Sequence, residues 1–137
     1  MAKREKKRFS YPEFIIIFAI LCFVAFSAKP AFMQAREQTN ISQLVDGLEQ
    51  LRASLDVYRT DHQNLPPTDS FEKFKAVITT KNRPSGSYLR NIPKNPFNNL
   101  NTIRFDGPQA GCGKAGWRLD TKTGLLQADN NINWAKL

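Results

Sequence analysis

The sequence holds one histidine, His62, and two cysteines, Cys22 and Cys112. Cys22 falls in an apolar run and Cys112 in the polar remainder, so no disulfide framework is available, and no Cys/His spacing suggests a metal. No serine or cysteine has a second histidine to work with. His62 beside Asp61 is a poor dyad, better explained as a solvated histidine at a helix C-terminus. Gly111-Cys112-Gly113-Lys114 lacks the first glycine and the following Ser or Thr of a phosphate loop. Dense charge is missing from most of the chain. From Met33 onward 14 Lys and Arg face 10 Asp and Glu, a diluted +4. No interleaved aromatic-basic motif surrounds Tyr88, Arg90 and Lys94, which argues against nucleic acid. These gaps make an enzyme the weakest reading.

What the sequence does have is concentrated at its start. Phe9 to Met33 is almost wholly apolar, and residues 1–8 carry Lys3, Arg4, Lys6, Lys7 and Arg8 against Glu5. A basic segment before an apolar span reads as the cytoplasmic side of a membrane segment. A cleaved signal peptide is the alternative, but after Ser27-Ala28-Lys29 come Pro30 and further apolar residues rather than a polar start. Phe9 to Phe26 would measure about 27 Å as a helix, just short of a hydrocarbon core roughly 30 Å thick. Ala28 to Met33 can extend it, and Lys29 can snorkel to the far interface. Pro12 stands near the expected helix start, where proline is tolerated. Pro30 stands inside the pattern and predicts a kink or local opening. Glu13 has two readings. A carboxylate within a membrane segment costs a few kcal/mol on insertion scales and is usually functional (roughly +2.5 to +3.5 for charged residues at the helix centre); one near the interface simply reaches water.

No proline or glycine separates Met33 from Ile41. Beyond it Ile41, Leu44, Leu48, Leu51, Leu55 and Tyr58 recur at helical spacing, with polar residues such as Gln43, Asp46, Glu49 and Arg52 on the other faces. The spacing predicts one long helix to about His62, stopped before Asn64-Leu65-Pro66-Pro67. A short helix follows, capped by Thr68 or Asp69 with Glu72 as in a capping box, its apolar face made by Phe71, Phe74, Val77 and Ile78. Residues 83–101 are punctuated as loop. Strand candidates are Thr102 to Phe105, Gly116 to Asp120 and Gly124 to Ala128; the last two form a hairpin, and Asp106 to Gly116 is a flexible connector. The expected fold is α+β: a long transmembrane and amphipathic helix whose seam covers a small antiparallel sheet. Asp120 and Asp129 flank the hairpin with Asn130 beside them. Clustered oxygens of this kind can hold Ca²⁺; turn formation explains them without a metal.

These residues together resemble type IV pilin-like proteins, and most of all the major pseudopilins of type II secretion systems. That family has a short basic leader cut before a phenylalanine, a glutamate four residues later and a proline seventeen after that. Phe9-Ser-Tyr-Pro-Glu13 and Pro30 stand at those places. The segment Tyr88-Leu-Arg-Asn-Ile-Pro93-Lys-Asn-Pro96-Phe97 and the run from Gly116-Trp117 through Asn131-Ile132-Asn133-Trp134 are similar too. Three departures stand out. Arg8 replaces the family's glycine before the cut, Pro12 replaces an apolar residue, and the acidic calcium loop is represented only by Asp120, Asp129 and Asn130.

The resemblance implies a basic cytoplasmic leader over 1–8, a transmembrane part over 9–33, and a pilin-like periplasmic or extracellular head over 34–137. It implies cleavage and N-methylation between Arg8 and Phe9 by a prepilin peptidase. It implies a single-pass inner-membrane protein of a bacterium that becomes a subunit of a helical filament, with other pseudopilins and an inner-membrane assembly platform as partners. Glu13 would pair with the amine of a neighbour's first residue, or with Arg8 or Lys29 if the leader stays. Pro30 would let the helix open locally as subunits leave the bilayer. No cofactor is implied beyond the possible calcium. Two alternatives stay open: a single-pass protein with a ligand- or partner-binding head and no polymer, and a DNA-uptake minor pilin.

Overall fold

Apolar residues at every face and then at every third or fourth position need a helix to bring them together, and α1 runs over Tyr11–His62. The structure, a computed structural model, describes residues 11–81 and 84–137, the side chains of residues 27–31 excepted. The chain divides into two units, one ending at Gln38 and one spanning Thr39–Leu137.

In the first unit Glu13 occupies the first turn of α1, near the positive end of the helix dipole. The helix is assigned continuously through Pro30, where the sequence predicts a kink or a local opening. One missing amide removes one ladder bond, and the flanking turns keep theirs. The described large apolar side chains between Tyr11 and Met33 are exposed, from 44% at Ile17 to 90% at Tyr11. Among the described residues no helix is long and apolar enough to cross a membrane. The expected span over 9–33 lies partly outside them.

The second unit is built on the seam. Leu44, Leu48, Leu51, Leu55 and Tyr58 are buried in one cluster with Phe74, Ile78, Ile92, Ile103, Trp117, Leu119, Leu126 and Ala128. Burying a side chain of this size stabilises by roughly 1.5–3 kcal/mol. Gly47 lies between seam residues because Trp117 needs the room. A Cβ there would sit 3.1 Å from the indole Cη2, and the ring is fixed by Nε1 donating to the Pro93 carbonyl at 2.9 Å. α1 ends with Gln63 in the left-handed region, its amide donating to the Arg59 carbonyl.

Helix α2, Phe71–Thr79, buries Phe74 and Ile78 as its spacing predicts. Its N-cap is Ser70, which makes no side-chain cap bond, rather than Thr68 or Asp69. Asp69 instead pairs with Lys73, one turn along an exposed face.

Three short strands follow, β1 Ile103–Phe105, β2 Trp117–Leu119 and β3 Leu126–Ala128, in that order across the sheet. The expected all-antiparallel sheet is corrected here. β2 and β3 are antiparallel, with Leu119 opposite Leu126, but β1 and β2 are parallel, with Ile103 opposite Trp117. A parallel pair needs a crossover of about a dozen residues. The stretch from Asp106 to Gly116 supplies it, so this stretch is a structural crossover and not a loose connector. A 3₁₀ turn at Trp134–Lys136 packs Trp134 on Phe97, ring centroids 5.5 Å apart.

Candidate functional site

A short crossover has few side chains with which to hold itself. Asp129, at the end of β3 and fully buried, does most of this. Its Oδ1 accepts the Gly111 amide at 3.0 Å and its Oδ2 the Ala115 amide at 3.1 Å. The Cys112 thiol lies 3.5 Å from Oδ2, and the Gly113 amide donates to the Asp129 carbonyl. Arg104, projecting from the middle of β1, meets the carboxylate with two prongs: Nε to Oδ2 at 2.8 Å and Nη2 to Oδ1 at 2.7 Å. The same guanidinium donates to the carbonyls of Asp106 at 2.7 Å and Gln109 at 3.0 Å. It therefore joins β1, the start of the crossover and β3 at one point. Burial pushes the Asp129 carboxyl up; Arg104 and the two amides outweigh it and hold the group below the usual carboxylate range. Asp129 in turn raises Arg104.

The three residues expected to share calcium are not together. Asp120 meets Leu125 at one end of the hairpin and Asp129 meets Gly116 at the other. Four residues of strand put those ends roughly 13 Å apart. Asp120 is occupied by its own turn, with Oδ1 accepting the Lys122 and Thr123 amides at 3.0 Å each. Asn130 Oδ1 accepts from the Asn95 side-chain Nδ2 at 2.9 Å. Among the described residues no group of three or more His, Cys, Asp or Glu could hold a metal. The oxygens gathered at Arg104 are of the kinds calcium takes, carboxylate and carbonyl. A guanidinium already stands among them, and its charge opposes a second cation. This residue set does not fit a divalent ion.

No family model matches the chain, and no solved structure matches it. Curated relatives do. The type II secretion system core protein G of Klebsiella pneumoniae is 25% identical over 101 residues, 69% of this chain and 71% of the relative. The protein of the same name from Pectobacterium carotovorum subsp. carotovorum is 25% identical over 100 residues, 68% of this chain and 63% of that one. That of Aeromonas hydrophila is 25% identical over 104 residues, 72% and 73%. The chain is pseudopilin-like.

In this pseudopilin-like chain Arg8 and Phe9 lie outside the described residues. Glu13 is exposed in the first turn of α1, and Pro30 lies within the helix with its side chain outside the description. His62 is exposed in the last turn of α1, as expected, and is also held in place. Its ring stacks on Tyr58 at 4.2 Å, while Asp61 accepts from the Tyr88 hydroxyl at 3.0 Å, so neither arrangement resembles a catalytic dyad.

Sequence reasoning missed Arg104, Asn95 and Arg52. Asn95 is fully buried, donating to the Gly116 carbonyl at 2.9 Å while its Oδ1 accepts the Phe97 amide at 3.0 Å. Arg52 reaches from α1 to the Leu126 carbonyl at 2.9 Å. The signal for Arg104 was a long cation in the middle of a strand, between Ile103 and Phe105. For Asn95 and Arg52 no local signal exists.

Proposed function

We propose that this chain is a structural subunit of a pseudopilus or related type IV pilus-like filament, assembling through α1. The observation that carries the reading is the apolar surface of α1 from Tyr11 to Met33, exposed in the single chain with Glu13 at its start. A helix apolar all round belongs in a membrane or among other helices. The relatives' role in type II secretion supports the second as the end state.

In this reading the leader is removed between Arg8 and Phe9, and the subunit waits in the inner membrane, N-terminus cytoplasmic and head periplasmic. Glu13 then meets the new amine of a neighbour's Phe9. The pairing offsets the desolvation that either charge would suffer alone. Pro30 weakens the ladder where the helix must adjust between bilayer and filament. Its partners are copies of itself, other pseudopilins and the assembly platform; its role is structural, not catalytic.

Glu13→Ala tests this. Membrane insertion is expected to be unchanged while sheared filament yield falls at least about tenfold, the equivalent of roughly 1.4 kcal/mol per contact. Unaltered yield removes the role assigned to Glu13. Intact mass and N-terminal sequencing from native membranes check the cut, with Phe9 expected as the first residue.

A further inference from the structure

A side chain that collects four oxygens at one point, one carboxylate of them fully buried, does what a structural cation does. Arg104 donates to both oxygens of Asp129, to the Asp106 carbonyl and to the Gln109 carbonyl, all between 2.7 and 3.0 Å. Calcium would gather carboxylate and carbonyl oxygens of the same types at 2.3–2.6 Å. We propose that Arg104 is the built-in cation of this head, that it takes the place a divalent ion would hold in closing the crossover onto β3, and that the protein folds independently of calcium. The argument rests on the head alone and stands whether or not the chain forms a filament.

Three observations converge on it. Asp129 is wholly inaccessible, and its oxygens are shared among Arg104, the Gly111 and Ala115 amides and the Cys112 thiol, so an incoming ion would have to displace protein donors from both. Asp120, the nearest thing to a second metal-ligating carboxylate on the hairpin, is at its far end. The guanidinium is also geometrically suited. Its planar fork spans both carboxylate oxygens while its remaining N–H groups face the two carbonyls, which a lysine ammonium cannot reproduce.

The test uses the full chain in detergent micelles. Thermal unfolding is followed in excess calcium and in excess EGTA, with metal content measured on the protein as purified. The expected result is one midpoint, the same within about 1 °C in both, and no stoichiometric calcium. A divalent ion held at a hundred times its dissociation constant would raise the midpoint by roughly 10–20 °C; that rise, or one calcium per chain, overturns the proposal. The second arm is Arg104→Lys, which keeps the charge and loses the fork. Its midpoint is expected to fall by roughly 8 °C or more, the same in calcium as in EGTA. A midpoint equal to that of the unaltered chain overturns the proposal, because the cation would then have no organising role.

Discussion

The two units of this chain treat their side chains in opposite ways. From Tyr11 to Met33 large apolar groups face outward, and the first-turn Glu13 is exposed with them. From Thr39 onward the seam is buried, and polar residues such as Asp129, Asn95 and Asp106 are engaged inside the unit. A surface left open by its own fold is completed by something else, whereas a satisfied interior defines a shape and little more. On the proposed reading, assembly belongs to the first unit and stability to the second. The two can be separated by substitutions that touch one and spare the other.

The largest effect on folding is expected from Trp117→Ala. The indole is fully buried, packs on Gly47 and donates to Pro93. Its loss leaves a cavity and an unpaired carbonyl, at a cost of about 3–5 kcal/mol. Urea unfolding of the full chain in detergent measures it. The counterpart is Phe18→Ala, on an exposed ring of the first unit. It should leave the urea midpoint where it was and reduce assembly. A head that loses stability equally in both variants would end the separation of roles.

Four carboxylates of the second unit sit below the usual range, the exposed Asp69 through its Lys73 partner, and acid should act most through the other three. Asp129 is held low against its own burial, Asp106 chiefly by the Thr121 hydroxyl and amide, and Asp120 chiefly by the Thr123 amide. Folded-state values below the unfolded ones mean that their contribution is fully present above the ordinary carboxylate range. It is lost as pH falls through the depressed values. Stability should be level above about pH 5 and decline steadily below it. Urea midpoints across a pH series check this, and Asp129→Asn should shallow the decline. Stability that rises on acidification contradicts the sign.

Periodicity was enough to read α1, its seam, its end at His62, and the apolar face of α2, because burial repeats with the helix itself. It could not read the direction of β1. Three residues of strand pair equally well either way on paper, and what decides is a crossover held by a residue distant in sequence, Asp129. The same distance hid Arg104. As a residue in a list it is one more cation; only folding brings it to Asp129. Glu13 and Pro30 were legible for another reason, since their spacing resembles a family and the role proposed for them lies between molecules.

The smallest effect is expected from Gly47→Ala, and its sign separates packing from propensity. An alanine in mid-helix is worth up to about 1 kcal/mol over glycine. On an exposed face of α1 that would be the whole outcome. Gly47 is buried, and the new Cβ would lie 3.1 Å from Cη2 and 3.2 Å from Cζ2 of Trp117, with Pro93 Cβ at 3.5 Å. The ring cannot step aside without stretching its bond to the Pro93 carbonyl. Overpacking of this kind costs about 1–3 kcal/mol, so the net expectation is a loss of about 1 kcal/mol in urea unfolding. A stabilised variant would mean that the indole has room to shift and that the packing of α1 on β2 is looser than its geometry implies.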